Sequence, residues 1–525
     1  VKLSDLAAQL LMIDLPGSEL GPDELAHLDR YRWGGVLLFA RNIVSRPQLA
    51  GLMQQIKEHG DPLVSVDQEG GLVDRVRFDD TVLTPGLMAL AATGDPQCTE
   101  LAHTIMGQQL ADLGFHMDFA PCVDINSNPD NPIIGVRSFG EDPALVAEHA
   151  AAACRGLRKG GLAATAKHFP GHGDCHLDSH LALPTLPLTL EQLKDRELVP
   201  FQACIEAGVE SMMTAHITFP ALDPRPGRAA TLSEPILNGL LRQQMGFDGV
   251  VFSDSMEMQA IADHYGVAEA SILALEAGAD MIITCGGFEA HLKAVEGLVE
   301  AVESGRLSRQ RLEQSWQRLQ QMRTRQADTS GVKRVEDLQH QMEEICRRSI
   351  TLVRNQGILP LSQGPVLLLS PDLLPVTPLG EMTRSDARLS HLKLEGVEVR
   401  EAHYPAETRG PALEHILEQA RLAHTVIFTV YARHRLPDAT RELGQRLLEA
   451  NPRLVLVSLS SPYVLRDLAD APAFICSYNY TPLSLKALGE ALSGKFSPQG
   501  RLTVSIPGLY PKSHRLSYPA PLSPA

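Results

Sequence analysis

The chain has 525 residues, 44% of them hydrophobic and 21% charged, with a formal net charge of -16. This length allows two or three domains around a substantial core, and the balance is that of an ordinary soluble globular protein. The negative charge argues against nucleic acid or an anionic membrane surface as a partner, because both reward a basic face.

No apolar run approaches the roughly 20 residues of a transmembrane helix. The first segment, VKLSDLAAQLLMIDLPGSEL, reads as an amphipathic helix running into a strand rather than as a charged region, apolar core and cleavage site. A chain that begins with valine is compatible with the loss of upstream residues, a signal peptide included. Up to about residue 330, short apolar runs alternate with helical patterns. The strand candidates are LLMID (10–14), GVLLF (35–39), LVSVD (63–67), HMDFAP (116–121), LAATA (162–166), SMMTAH (211–216), GVVFSD (249–254) and DMIIT (280–284). Eight strands with helices between most of them predict an α/β fold, a (β/α)₈ TIM-like barrel over residues 1–328. A doubly wound open sheet is the competing architecture, but no GxGxxG follows an early strand.

A charged helical stretch over residues 329–350 reads as a linker. Beyond it, VLLLS, VEVREA, TVIFTVYA, RLVLVSLS and AFICSYNY alternate with helical patterns and predict a smaller, mostly parallel α/β sandwich domain over residues 351–525. This second domain carries no compact charged motif of its own. The eight cysteines are scattered with no CxxC pair, and Cys204, Cys285 and Cys476 sit in apolar runs, which points to reduced, buried thiols and a cytoplasmic location.

The stretch KHFPGHGDCHLDSH places His168, His172, His176 and His180 at every fourth position, the spacing of a metal-binding helical stripe. Pro170, Gly171 and Gly173 oppose a helix, so the run reads as a loop and the stripe as accidental. Neither a metal nor another cofactor is expected. Polar residues also gather just after the strands: Asp67 after the third, Lys167 and His168 after the fifth, His216 at the sixth and Asp254 after the seventh. In a barrel these points converge on one mouth.

Four segments in this order, DQEGGLVDR (67–75), IGVRSFGEDP (134–143), KHFPGHGDCHLDSH (167–180) and FSDSMEM (252–258), resemble glycoside hydrolase family 3. KHFPGHG, four residues, then DSH resembles its β-N-acetylglucosaminidase branch. SITLVRNQGILPL and SPQGRLTVSIPG are similar to segments of that family's second domain. The resemblance implies an exo-acting, retaining hydrolase of terminal N-acetylglucosamine, acting on peptidoglycan fragments through a covalent intermediate on Asp254. Independently, Asp254 ends an apolar strand and should project into the mouth. The resemblance assigns the acid/base to His180, with Asp178 fixing its tautomer and stabilising the imidazolium. It assigns Lys167 and His168 as donors to sugar hydroxyls, Asp67 as an acceptor, and Arg75 and Arg137 to the same cradle.

His172 and Asp174 read as loop architecture and His176 as solvent-facing, while His216 is either a ligand contact or a satisfied core histidine. Leu72 departs from the family, whose members commonly carry a basic residue there. In the β-glucosidase branch the acid/base comes from the second domain; the intact DSH triplet places it in the first domain here. The alternatives are a β-glucosidase or β-xylosidase, an N-acetylglucosaminide phosphorylase, an inactive carbohydrate-binding relative and, from another class, a metal-dependent amidohydrolase.

Overall fold

Strands buried on both faces need helices over them, and the chain supplies one after nearly every strand. The structure, a computed structural model, describes residues 1–179, 183–327, 335–362, 364–374, 385–386 and 389–518. Strands β1 (Leu11–Asp14), β2 (Gly35–Leu38), β3 (Leu63–Val66), β4 (Met117–Asp118), β5 (Ala163–Phe169), β6 (Ser211–Thr214), β7 (Val250–Phe252) and β8 (Ile282–Thr284) are buried along their lengths. They form an 8-stranded parallel sheet in the order β7-β6-β5-β4-β3-β2-β1-β8. A parallel bridge between Phe252 and Met281 joins its two ends. This is the predicted (β/α)₈ barrel.

Local sequence explains where the covering helices start. Asp95 accepts a hydrogen bond from the Gln97 N–H and Asp142 from those of Ala144 and Leu145, and in both cases proline follows the cap. A side-chain oxygen at the cap and a proline in the first turn both suit a helix start, where N–H groups lack intrahelical partners.

Two strands differ from the prediction. β4 is shorter than HMDFAP, and β5 runs on through Lys167, His168 and Phe169 instead of ending at Ala166. Lys167 and His168 are therefore strand residues, and the loop begins after them.

All five predicted strands of the second domain are present. β9 (Thr351–Asn355), β10 (Val366–Pro371), β13 (Val399–Tyr404), β14 (Thr425–Val430), β15 (Leu454–Ser458) and β16 (Ala473–Cys476) make a 6-stranded sheet ordered β13-β10-β14-β15-β16-β9. A separate antiparallel pair, β11 (Leu373–Leu374) and β12 (Ser385–Asp386), stands apart from it. The unpredicted member is β9, which lies at one edge and is antiparallel to β16. Of the linker, the helix Leu338–Ser349 is described, while residues 328–334 lie outside the described residues.

The two sheets share apolar packing. Ile350, Leu352 and Leu359 belong to the hydrophobic cluster of the barrel. Conversely, Met88, Ala89 and Ala92 of the barrel helix Leu87–Ala92 pack into the cluster of the second sheet. Asn479 Nδ2 donates to the Pro85 carbonyl at 2.6 Å, and the Ser505 N–H donates to Glu141 at 2.8 Å. Such an apolar, hydrogen-bonded boundary opposes free domain motion. No described helix is long and apolar enough to cross a membrane.

Candidate active site

The strand ends converge on a cavity of about 370 Å³ lined by Asp67, Arg75, Arg137, Lys167, His168 and Asp254. Six of the eight residues picked out from the sequence thus face one space. Asp178 is half-buried and off the lining, although its neighbour Ser179 is on it. His180 lies outside the described residues.

A buried ionic network forms one wall. Glu69 receives Arg137 Nε at 2.8 Å and Nη2 at 2.7 Å, a bidentate fork, and Lys167 Nζ stands 2.7 Å from the same carboxylate. Lys167 Nζ also donates to Asp67 Oδ1 at 2.6 Å. Burial alone would raise the Glu69 carboxyl, but the charges of Arg137 and Lys167 overcome it and hold the group well below the usual carboxylate range. For Lys167, burial works toward loss of the proton, and the charges of Asp67 and Glu69 outweigh it, holding the ammonium above its ordinary value. Two of the three ammonium donors are thereby engaged by carboxylates. Both cavity arginines are only 5% exposed, so neither forms a surface ion pair.

His168 is held from behind. Its Nδ1 lies 2.7 Å from Asp124 Oδ2, and Asp124 also receives the backbone N–H of His172 at 2.7 Å. Burial would raise the Asp124 carboxyl, but His168 and His172 hold it down, so it is an anion and an acceptor only. Nδ1 must then carry the proton, so Nε2 accepts in the neutral ring, and the donor role that the resemblance gives His168 requires the imidazolium. Cys122, Asp124 and His168 place a sulfur, a carboxylate oxygen and a ring nitrogen within 4.8 Å of one another, a donor set that suits a divalent metal. Within the cluster, Cys122 Sγ donates to Asp124 at 3.3 Å, and burial pushes the thiol pKa up.

The loop after β5 is tied to the segment before it. Asn131 Nδ2 donates to the His172 and Gly173 carbonyls, both at 3.0 Å, and Asn128 Nδ2 to that of Cys175 at 3.1 Å. Gly173 is required by close approach, since a Cβ there would lie 1.6 Å from the Ile125 oxygen. His172 is buried, meets Ser179 Oγ through Nε2 at 2.9 Å and lines the cavity; burial lowers its pKa to about 4, so it is a neutral part of the wall. Asp174 pairs with Arg196 at 2.7 Å, and His176 is exposed. His216 uses one ring nitrogen on Thr231 Oγ1 and the other on the Ser255 carbonyl, each at 2.8 Å, which makes it a buttress of the Asp254 segment.

Comparison with known proteins gives this arrangement a family. Residues 2–322 match the model of the glycosyl hydrolase family 3 N terminal domain. The chain belongs to glycosyl hydrolase family 3. The beta-hexosaminidase A of Pseudoalteromonas piscicida is 34% identical over 388 residues, covering 67% of this chain and 65% of that protein. The chain thus spans just under two thirds of that relative's length. The beta-hexosaminidase of Methylococcus capsulatus is 38% identical over 290 residues, 55% of this chain and 86% of that one. A family 3 beta-N-acetylglucosaminidase from Paenibacillus sp. str. FPU-7 superposes with a TM-score of 0.90 at 36% identity, covering 96% of this chain and 99% of that chain.

Sequence reasoning passed over four acids of this family 3 barrel: Glu69, Asp124, Glu257 and Asp74. The signal for Glu69 was its place two residues beyond Asp67. Glu257 lines the cavity and accepts from the Cys285 N–H at 2.7 Å and Ser255 Oγ at 3.0 Å, and burial raises its carboxyl. Asp74 is wholly buried beside Arg75, and burial pushes its pKa up to about 7 against the opposing charges of Arg77 and Arg75. An unfolded chain releases this proton near pH 4, so the group's contribution to stability is full below about pH 4 and is lost as pH rises through about 7. Asp74→Asn is therefore expected to raise the thermal midpoint at pH 8 and to raise it by clearly less at pH 5, where only the first part of the contribution has been lost. Parallel stability curves for the two proteins would contradict the assignment.

Proposed function

We propose that the protein is an exo-acting, retaining β-N-acetylglucosaminidase that removes terminal β-linked N-acetylglucosamine, with peptidoglycan fragments as its natural substrates. The observation that carries this reading is that Asp254 shares one cavity with Asp67, Arg75, Arg137, Lys167 and His168. At about 370 Å³ the cavity is near the small end of ligand sites and suits one terminal sugar. The kinship with proteins named beta-hexosaminidase supports the choice of sugar. All eight cysteines are free, which supports a cytoplasmic setting as part of the same proposal.

In the proposed mechanism the Asp254 carboxylate attacks the anomeric carbon as the bond to the leaving oxygen breaks. His180 gives that oxygen its proton, and Asp178 stabilises the imidazolium until the proton leaves. In the second half, His180 takes a proton from water, the water oxygen bonds to the anomeric carbon, and Asp254 departs as a carboxylate. Lys167 donates to sugar hydroxyls, Asp67 accepts from them, and His168 offers Nε2. A cradle of buried hydrogen-bonding groups rejects sugars that leave those groups unpaired.

Product analysis on a disaccharide of N-acetylglucosamine, with and without phosphate, tests the reading. The rate and the product are expected to be unaffected by phosphate, and a nitrophenyl N-acetylglucosaminide should give the β-anomer of N-acetylglucosamine first by NMR. First release of the α-anomer from the aryl glycoside would refute retention, and a sugar 1-phosphate would replace the hydrolase with a phosphorylase.

A further inference from the structure

Where the barrel ladder stops, side chains tie the turn carrying Asp254 to β8. Strand β7 ends at Phe252, whose bridge to Met281 joins the ends of the sheet. Backbone donors beyond that bridge still need acceptors. Ser253 Oγ takes the N–H of Ile283, in β8, at 2.9 Å, and Glu257 Oε2 takes that of Cys285, just past it, at 2.7 Å. Asp254 lies in sequence between these two ties. Midway along the turn, the Met256 N–H donates to the Ile283 carbonyl at 3.0 Å.

Ser255 is held through each of its polar groups. Its N–H donates to Asp254 Oδ1 at 2.7 Å, its hydroxyl donates to Glu257 Oε2 at 3.0 Å, and its carbonyl accepts from His216 Nε2 at 2.8 Å. One residue, Ser255, thus connects Glu257 to the Asp254 carboxylate by two hydrogen bonds. Gly286 leaves room for the Glu257 side chain, because a Cβ there would lie 2.9 Å from Glu257 Cγ and 3.1 Å from Oε1. Burial raises the Glu257 carboxyl, but accepting these bonds needs an oxygen and not a charge.

We propose that Glu257 is a positioning residue for the covalent step, orienting the Asp254 carboxylate through Ser255 and anchoring both to β8. The inference rests on Asp254 being the nucleophile. Attack on the anomeric carbon needs the carboxylate oxygen in line with the breaking bond, and a misplacement of about 1 Å costs as much as about 10²-fold in rate.

The test is the rate at which a 2-fluoro sugar with a 2,4-dinitrophenolate leaving group labels the full-length chain. That leaving group departs without a proton, so labelling at saturating reagent reports attack by the carboxylate alone. As a first-order constant, it is independent of how much of a variant is folded. Ser255→Ala removes the hydroxyl, and Glu257→Ala removes its acceptor. Each is expected to slow labelling at least about tenfold, while the inhibition constant of N-acetylglucosamine changes less than about threefold. Glu257→Gln keeps an accepting oxygen and should recover most of the rate. S255A/E257A should be less than about threefold slower than the slower single variant, because both changes cut one chain. Labelling unchanged in both single variants, inhibition weakened in step with labelling, or Glu257→Gln no faster than Glu257→Ala would overturn the positioning role. Failure of the underlying reading looks different: the wild-type adduct would map to a residue other than Asp254, and the role of Glu257 would fall with it.

Discussion

Replacing Asp254 with asparagine is expected to lower kcat by at least about 10⁴-fold while leaving the folded protein intact, as for other enzymes that lose a covalent nucleophile. The fold should survive because Asp254 is half-buried and its Oδ1 accepts from the Ser255 N–H at 2.7 Å, a bond that an amide oxygen can keep. The chemistry should fail because an amide does not attack an anomeric carbon. Glu257 is the rival, being a carboxylate in the same wall three residues on. Burial raises its pKa, and one of its oxygens is committed to Cys285 and Ser255, both of which oppose its use as a nucleophile. Trapping the wild type with a 2-fluoro sugar and mapping the adduct by mass spectrometry separates the two. A label on Asp254 is expected; a label on Glu257, with Asp254→Asn still active, would move the chemistry to the other carboxylate.

What could be read from the sequence follows the range of the forces involved. Barrel strands such as LVSVD and DMIIT were legible because each is a short apolar run closed by a polar residue, a pattern set by burial alone. The end of β5 was misread for a related reason. Lysine and histidine inside a buried strand contradict local rules, and what permits Lys167 there is a pair of acids 100 and 98 positions away, Asp67 and Glu69. β9 escaped because its apolar part is only Thr351–Val353, directly after a helix, and its place at the sheet edge is decided by tertiary pairing with β16. Motif order brought Asp254 and the cradle together, but nothing local marks Asp124, whose role comes from contacts with residues 44 and 48 positions on.

The buried pair of Arg137 and Glu69 yields the largest expected change in stability. Arg137→Met should destabilise the protein by about 3–5 kcal/mol near neutral pH, the cost of breaking a buried ion pair by removing one partner. The Arg137 and Glu69 side chains are 4% and 1% exposed, so water cannot replace the lost fork. Glu69 would then share Lys167 with Asp67, leaving two carboxylates on one ammonium. The pH dependence follows from Arg137 holding the Glu69 carboxyl low. In the wild type its contribution is present above the ordinary carboxylate range and is lost only as pH falls through the depressed value. Without Arg137 the burial effect prevails and Glu69 takes up a proton more readily, so the deficit should shrink as pH falls from 7 toward 5. Adding Glu69→Gln removes the stranded charge, and E69Q/R137M should be more stable than R137M alone, as non-additivity within one network requires. Thermal unfolding of the wild type, R137M, E69Q and the double variant at both pH values reads this out. A loss below about 1 kcal/mol for R137M, or a double variant weaker by the sum of its parts, would reduce the network to the standing of surface pairs.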